Sequence, residues 1–187
     1  MNRFNITEME LKGVYLIEPT VHEDDRGYFV KTYDEEEFKA KGLDFTFVQD
    51  DQSCSSKGVL RGLHFQKEHP QSKLIRVVRG KVFDVGVDLR KNSETYGKWI
   101  GVELSDKNKK QLFLPKGFAH GFLAMEDHSI FVYKVDELYY PDDEGGLAYD
   151  DKDIAIDWPL DEVEDIIITD KDKNWGSLKE FDFTFNL

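Results

Sequence analysis

The sequence predicts an all-β fold of the sandwich or jelly-roll kind, and three observations carry that reading. Residues 81–89 alternate, with Phe83, Val85, Val87 and Leu89 on one face and Asp84, Gly86 and Asp88 on the other, the period-2 pattern of a half-buried strand. Residues 72–79, 98–104 and 130–135 read the same way. Turn chemistry separates the runs: Arg79-Gly80-Lys81 and Ser105-Asp106-Lys107-Asn108 both have the residues of a hairpin turn. Many short strands at such spacing build a sandwich or a jelly roll.

In chain order, residues 14–17 (Val-Tyr-Leu-Ile) and 28–30 (Tyr-Phe-Val) are short apolar strands. Residues 34–42 carry an aspartate N-cap, three glutamates in the first turn, lysines in the last and a glycine stop, which predicts a short surface helix whose acidic run is a solvated face. The glycine-punctuated strand at 58–66 follows, then the alternating strands. Val163, Ile166, Ile167 and Ile168 make residues 161–172 a short helix or strand that packs against the barrel. No internal repeat or low-complexity segment interrupts the pattern.

Composition narrows the function classes. With 187 residues, 40% of them hydrophobic, the chain is long enough for a well-buried core, and no linker splits it, so a single jelly-roll domain over 1–187 is expected. A formal net charge of −13 disfavours nucleic acid, which needs clustered Lys and Arg. The amino terminus has no apolar h-region and no long apolar run occurs, so neither export nor a membrane span is expected and the cytoplasm is the predicted location. Cys54 is the only cysteine, which excludes an internal disulfide and a thiolate cage and leaves an inert thiol.

The chemistry sits in Gly58-Val59-Leu60-Arg61-Gly62-Leu63-His64-Phe65-Gln66, in Gln71-Ser72-Lys73-Leu74 and in Phe118-Ala119-His120-Gly121-Phe122. A strand of Val, Leu and Phe gains nothing by interrupting itself with Arg61, His64 or His120, and Lys73 shares a strand face with Ile75 and Val77, where an unpaired ammonium is costly. A site explains these residues better than packing does. His22, His69 and His128 stand in charged, loop-like contexts and read as solvated. Arg61 and His64 are three apart, so a regular strand sends them to opposite faces; either Gly62 marks a bulge or Arg61 serves another direction.

Together with Lys81-Val82-Phe83-Asp84-Val85-Gly86-Val87-Asp88-Leu89-Arg90, Pro115-Lys116-Gly117-Phe118-Ala119-His120-Gly121-Phe122, Tyr133-Lys134 and Asp157-Trp158-Pro159, these segments resemble the dTDP-4-dehydrorhamnose 3,5-epimerase family, from about Gly13 to about Asp172. The resemblance implies a cupin jelly roll with a few short helices. It implies inversion of C3 and C5 of a dTDP-linked 4-keto-6-deoxyhexose, giving dTDP-4-dehydro-L-rhamnose. It makes His64 the proton acceptor, Asp172 the carboxylate that orients it, Lys73 the cation near the enolate oxygen and Tyr133 the opposite-face donor. Arg61 and His120 become substrate contacts, Arg26, Lys31, Gln49 and Asp51 fall at the nucleotide end, and Glu144 and Lys171 are further binding positions. It also implies a homodimer in which an amino-terminal strand of one subunit completes the sheet and the site of the other.

Two positions depart from the family pattern. Lys31 stands where a glutamate is usual and Asp51 where an asparagine is usual, which suggests another base or a Lys31–Asp51 pair in place of Glu–Asn. Residues 115–120 also fit the second cupin signature, whose histidine often binds a metal. The first signature needs a His-x-His pair and a glutamate, and around His64 only Phe65-Gln66 is offered, so no metal and no cofactor are expected. The competing readings are a mono-epimerase acting at one carbon, a metal-dependent cupin oxygenase and a non-catalytic sugar-binding module.

Overall fold

The computed structural model describes residues 3–187. In chain order the strands are β1 (Phe4–Glu8), β2 (Tyr15–Pro19), β3 (Val21–Asp24), β4 (Gly27–Val30), β5 (Gln49–Ser55), β6 (Leu60–Gln66) and β7 (Lys73–Arg79). They continue as β8 (Lys81–Asp88), β9 (Trp99–Ser105), β10 (Gln111–Leu114), β11 (Phe118–Ala124), β12 (Ser129–Val135) and β13 (Glu144–Gly146). The helices α1 (Glu35–Lys39) and α2 (Asp170–Lys173) are short. Six strands form one sheet in the order β1-β2-β10-β7-β12-β5, and five form a second in the order β13-β6-β11-β8-β9. The pair β3–β4 stands apart as a two-stranded ribbon. This is a jelly roll, and no helix among the described residues is long and apolar enough to cross a membrane.

The sheets pack face to face because each strand offers an apolar row to the other. Ile75, Val77, Val82, Leu104, Leu112, Phe122 and Phe131 fill the space between them. The outer face of the second sheet is covered by the carboxy-terminal segment, where Trp158, Val163 and Phe185 meet Leu63, Val85, Val87 and Leu89. The outer face of the first is covered in part by α1, whose Phe38 lies among Phe4, Ile17, Leu74 and Phe113. Asp34 caps α1, accepting from the Glu37 N–H, as its side chain predicts.

Two expectations about the strands change. The run at 81–89 is buried on both faces: Phe83, Val85, Val87 and Leu89 pack under the carboxy-terminal segment, and Asp84, Gly86 and Asp88 face the inside of the roll. A polar face in an alternating strand therefore marks an interior site here, not solvent. The two turns are not hairpins either, since β7 and β8 lie in different sheets, and so do β9 and β10. Gly80 (φ +77°) turns a corner between sheets, and Ser105 and Asn108 lock the second corner by exchanging side-chain bonds to each other's N–H at 3.1 and 3.0 Å. Turn chemistry specifies the reversal and leaves the pairing partner to the topology. The segment at 161–172 packs as expected: Ile167 bridges Val59 in parallel, and Val163, Ile166 and Ile168 join the apolar cluster, while Ile167 is itself exposed.

The parity question at Arg61 and His64 resolves as a bulge. Against β11, His64 faces His120 and Arg61 faces Phe122, so three steps on β6 match two on β11. The extra residue lies at Gly62, at φ +113°, and both side chains point the same way. A Cβ on Gly62 would lie 2.6 Å from the His120 carbonyl oxygen and 2.7 Å from the Gly121 Cα. We expect Gly62→Ala to lower the free energy of unfolding by about 2–4 kcal/mol, through backbone strain and the clash together; the shift in urea midpoint at constant m-value measures it.

Candidate active site

Both sheets contribute walls to one cavity of about 300 Å³. Period-2 alternation places Asp51 and Ser53 of β5, Lys73 of β7, and Phe131 and Tyr133 of β12 on the inner face of the first sheet. Opposite them stand Arg61 and His64 of β6, His120 and Phe122 of β11 and Glu144 of β13. The carboxy-terminal segment closes one side with Thr169, Lys171 and Asp172.

His64 Nε2 lies 2.7 Å from Asp172 Oδ1, and the other oxygen of that carboxylate accepts the Gly62 N–H at 3.2 Å. Burial alone would raise the Asp172 carboxyl, but the bonds from His64 and Gly62 and the nearby Lys171 charge outweigh it and hold the group below the ordinary carboxylate range. An ionised carboxylate only accepts, so the ring proton sits on Nε2 and the Nδ1 lone pair is free. Thr169 caps α2 by accepting the Asp172 N–H, which sets the position of that carboxylate. Beyond Nδ1, at 3.7 Å, is Glu144 Oε1. Glu144 is itself held by Lys171 Nζ at 3.0 and 2.9 Å and by the Tyr139 hydroxyl at 3.2 Å.

On the facing sheet, the Lys73 ammonium stands 5.2 Å from the Tyr133 ring centroid and donates to Gln71 Oε1 at 3.2 Å. Desolvation pushes it down to about 8, against the pull of Asp51, Asp84 and Glu144. Desolvation, reinforced by Asp51 and Tyr139, pushes the Tyr133 phenol up to about 12. Lys73 is thus a largely charged cation near neutral pH and Tyr133 a firmly held proton donor.

His120 Nε2 is 2.8 Å from Asp84 Oδ1. Asp84 is fully buried, its carboxyl is pushed up by desolvation against the opposing pull of His120 and Lys73, and its Oδ2 has no protein partner. Sequence reasoning passed over Asp84 because the alternation assigned its face to solvent; an aspartate between Phe83 and Val85 opposite the His120 strand was the available signal. Gln71, from one of the segments singled out, lines the cavity as well, and so do Tyr139 and Ser53, which were not anticipated.

Of the residues singled out in the sequence, Asp51, Arg61, His64, Lys73, His120, Tyr133, Glu144, Lys171 and Asp172 share this cavity. Arg26, Lys31 and Gln49 do not line it. Gln49 stands just behind, donating to Asp51 Oδ2 at 2.7 Å and accepting the Tyr139 N–H at 3.0 Å. Arg26 is exposed at the tip of the β3–β4 ribbon, paired with Asp24 at 2.5 Å. Within the subunit Lys31 bonds Asp34 at 2.5 Å, the nearer carboxylate in sequence, and Asp51 takes Gln49, so the Lys31–Asp51 pair, one of the two readings of these exchanges, is not made inside one chain. His69 is not simply solvated, since it meets Asp143 at 3.1 Å and stacks on Tyr140. Among the described residues no cluster of three or more His, Cys, Asp or Glu side chains is placed to hold a metal ion.

Residues 8–180 match the sequence model of dTDP-4-dehydrorhamnose 3,5-epimerase. The chain belongs to the dTDP-4-dehydrorhamnose 3,5-epimerase family. The enzyme of that name from Methanothermobacter thermautotrophicus is 56% identical over 180 residues, covering 96% of this chain and 97% of its own. A dTDP-6-deoxy-D-glucose-3,5-epimerase from Legionella pneumophila, solved with dTDP-4-keto-L-rhamnose, superposes with a TM-score of 0.94 at 40% identity, covering 98% of this chain and 99% of its own. A 3'-monoepimerase from Streptomyces bikiniensis, solved with dTDP-quinovose, has a TM-score of 0.85 at 33% identity, covering 91% and 86%.

In this epimerase-family fold the depressed Lys73 has a stability consequence. Its folded value of about 8 lies below the ordinary lysine value of 10.5, so the desolvation penalty is complete below pH 8 and is relieved as pH rises from 8 towards 10.5. Lys73→Met should therefore stabilise the protein at pH 7 by about 1–2 kcal/mol, and the advantage should shrink by pH 10. Urea midpoints of both proteins at the two pH values test the sign.

Proposed function

We propose that this chain inverts C3 and C5 of a dTDP-linked 4-keto-6-deoxyhexose, yielding dTDP-4-dehydro-L-rhamnose. The observation that supports it most is the placement of a carboxylate-oriented imidazole and a protonated phenol on opposite sheets of one cavity, with a buried ammonium beside the phenol. Both carbons flank the C4 ketone, so each C–H is acidified by the same carbonyl. His64 Nδ1 takes the proton; the C–H electron pair becomes the enolate, whose oxygen the Lys73 ammonium stabilises. Tyr133 then delivers its proton to the other face, and the configuration inverts. Asp172 keeps the imidazole in the right tautomer and stabilises its charge. His120, backed by Asp84, and Arg61 contact the sugar and its linkage, and Lys171 and Glu144 line the mouth.

The nucleotide end calls for a second subunit. Tyr28 and Phe29 on the β3–β4 ribbon are 55% and 67% exposed, an unusual outlay of aromatic surface for solvent. Edge strand β5 and the cavity mouth beside it are what such a ribbon can cover, and doing so carries Arg26 and Lys31 to the partner's cavity, next to its Gln49 and Asp51. The protein should be a homodimer, and Phe29→Asp should shift it towards the monomer; light scattering at micromolar concentration reads both, and a monomeric wild type contradicts the arrangement.

Proton NMR of the keto sugar in D2O tests the reaction itself, with exchange expected at both C3 and C5; exchange at one carbon alone describes a mono-epimerase. His64→Ala should lower exchange at both positions together by roughly 10²–10⁴. Tyr133→Phe should behave differently, since the enolate still forms through His64: deuterium should enter C5 while inverted product falls. Equal loss of both signals in Tyr133→Phe would place the hydroxyl in binding or enolate stabilisation instead.

A further inference from the structure

Two inversions at one site pose a problem that the arrangement of His64 and Tyr133 does not solve by itself. After the first inversion His64 holds the proton taken from carbon, and Tyr133 has given its own away. Neither can act at the second carbon until His64 has lost that proton and Tyr133 has regained one. Asp172 occupies Nε2, so the extra proton rests on Nδ1, and the protein acceptor placed near that atom is Glu144, whose Oε1 is 3.7 Å away. A small torsional movement brings that distance into hydrogen-bond range. The other oxygen of Glu144 accepts from the Tyr139 hydroxyl at 3.2 Å, and Tyr139 is half exposed at the mouth.

We propose that Glu144 is the proton-relay residue that discharges His64 between the two inversions, passing the proton from Nδ1 to its carboxylate and on to solvent at the Tyr139 rim. This rests on the epimerase reading above. In each transfer the N–H bond of the imidazolium breaks as the carboxyl O–H bond forms, His64 returns to neutral, and water takes the proton from the carboxyl, while the Tyr133 phenolate regains a proton from water. Lys171 serves the relay by fixing the carboxylate, with Nζ at 3.0 and 2.9 Å from its two oxygens. A purely substrate-binding Glu144 has no need to face the Nδ1 side of the base.

Glu144→Gln separates the roles because it keeps the shape and an acceptor oxygen but cannot take up a proton. At low buffer concentration its turnover to the doubly inverted sugar should fall roughly tenfold or more at little-changed KM, with singly inverted sugar accumulating. Added imidazole should restore the rate in a concentration-dependent way, because a diffusing base can discharge His64, and should leave the wild type nearly unaffected. A raised KM with no response to imidazole would make Glu144 a binding residue only, and a wild-type rate at low buffer would overturn the relay outright. A wild-type protein without exchange at C3 and C5 in the same NMR assay would overturn the epimerase reading, and this inference with it.

Discussion

One carboxylate ties the barrel's irregularity to its chemistry. Asp172 accepts the Gly62 N–H with one oxygen and the His64 imidazole with the other, so the bulge that aims β6 and the ring that β6 presents share an anchor. The bulge frees a backbone N–H from the ladder, and a buried N–H must find an acceptor. The carboxylate that supplies it arrives on the first turn of α2, itself positioned by the Thr169 cap. Charge-assisted bonds of this kind are the stronger class of hydrogen bond, and here two of them hold the site to a segment remote in sequence.

The jelly-roll topology then does what a single sheet cannot. Because the chain changes sheets at corners such as Gly80, strands close in sequence face each other across the interior. Lys73 and His64 are nine residues apart in number but on opposite walls. A planar enolate between two such walls has a base on one side and an acid on the other, which inversion requires and which side chains from one face of a sheet do not provide. Alternation sets the rest, since each inward residue is followed two positions later by another.

Much of this was legible in the sequence, for identifiable reasons. The strands at 72–79, 98–104 and 130–135 are found within a residue of their predicted limits because alternation is a local property. A helix forms within 34–42 because its cap and charges are local too, although it runs only over Glu35–Lys39 and its C-cap is Ala40, ahead of the glycine. Misread were the features that depend on partners. Whether Gly80 makes a hairpin or a corner, and whether Asp84 meets water or His120, is decided by strands distant in the chain. Lys31 shows the local side of the same rule, since the carboxylate it bonds within the subunit is Asp34, three residues away.

The inner wall also shows where stability has been given up. Lys73 is desolvated enough to be pushed down to about 8, and the buried Oδ2 of Asp84 has no protein partner. In a core serving stability alone, an apolar side chain at either place would be better tolerated. These groups lie close to the His120 and Tyr133 side chains, next to the apolar packing of Ile75, Val77 and Leu112. The cost at Lys73 has a use: an ammonium held near 8 stabilises a developing oxyanion more strongly than a solvated one, because little water competes for its charge. A chain of net charge −13 thus keeps its least screened cation where negative charge forms during the reaction.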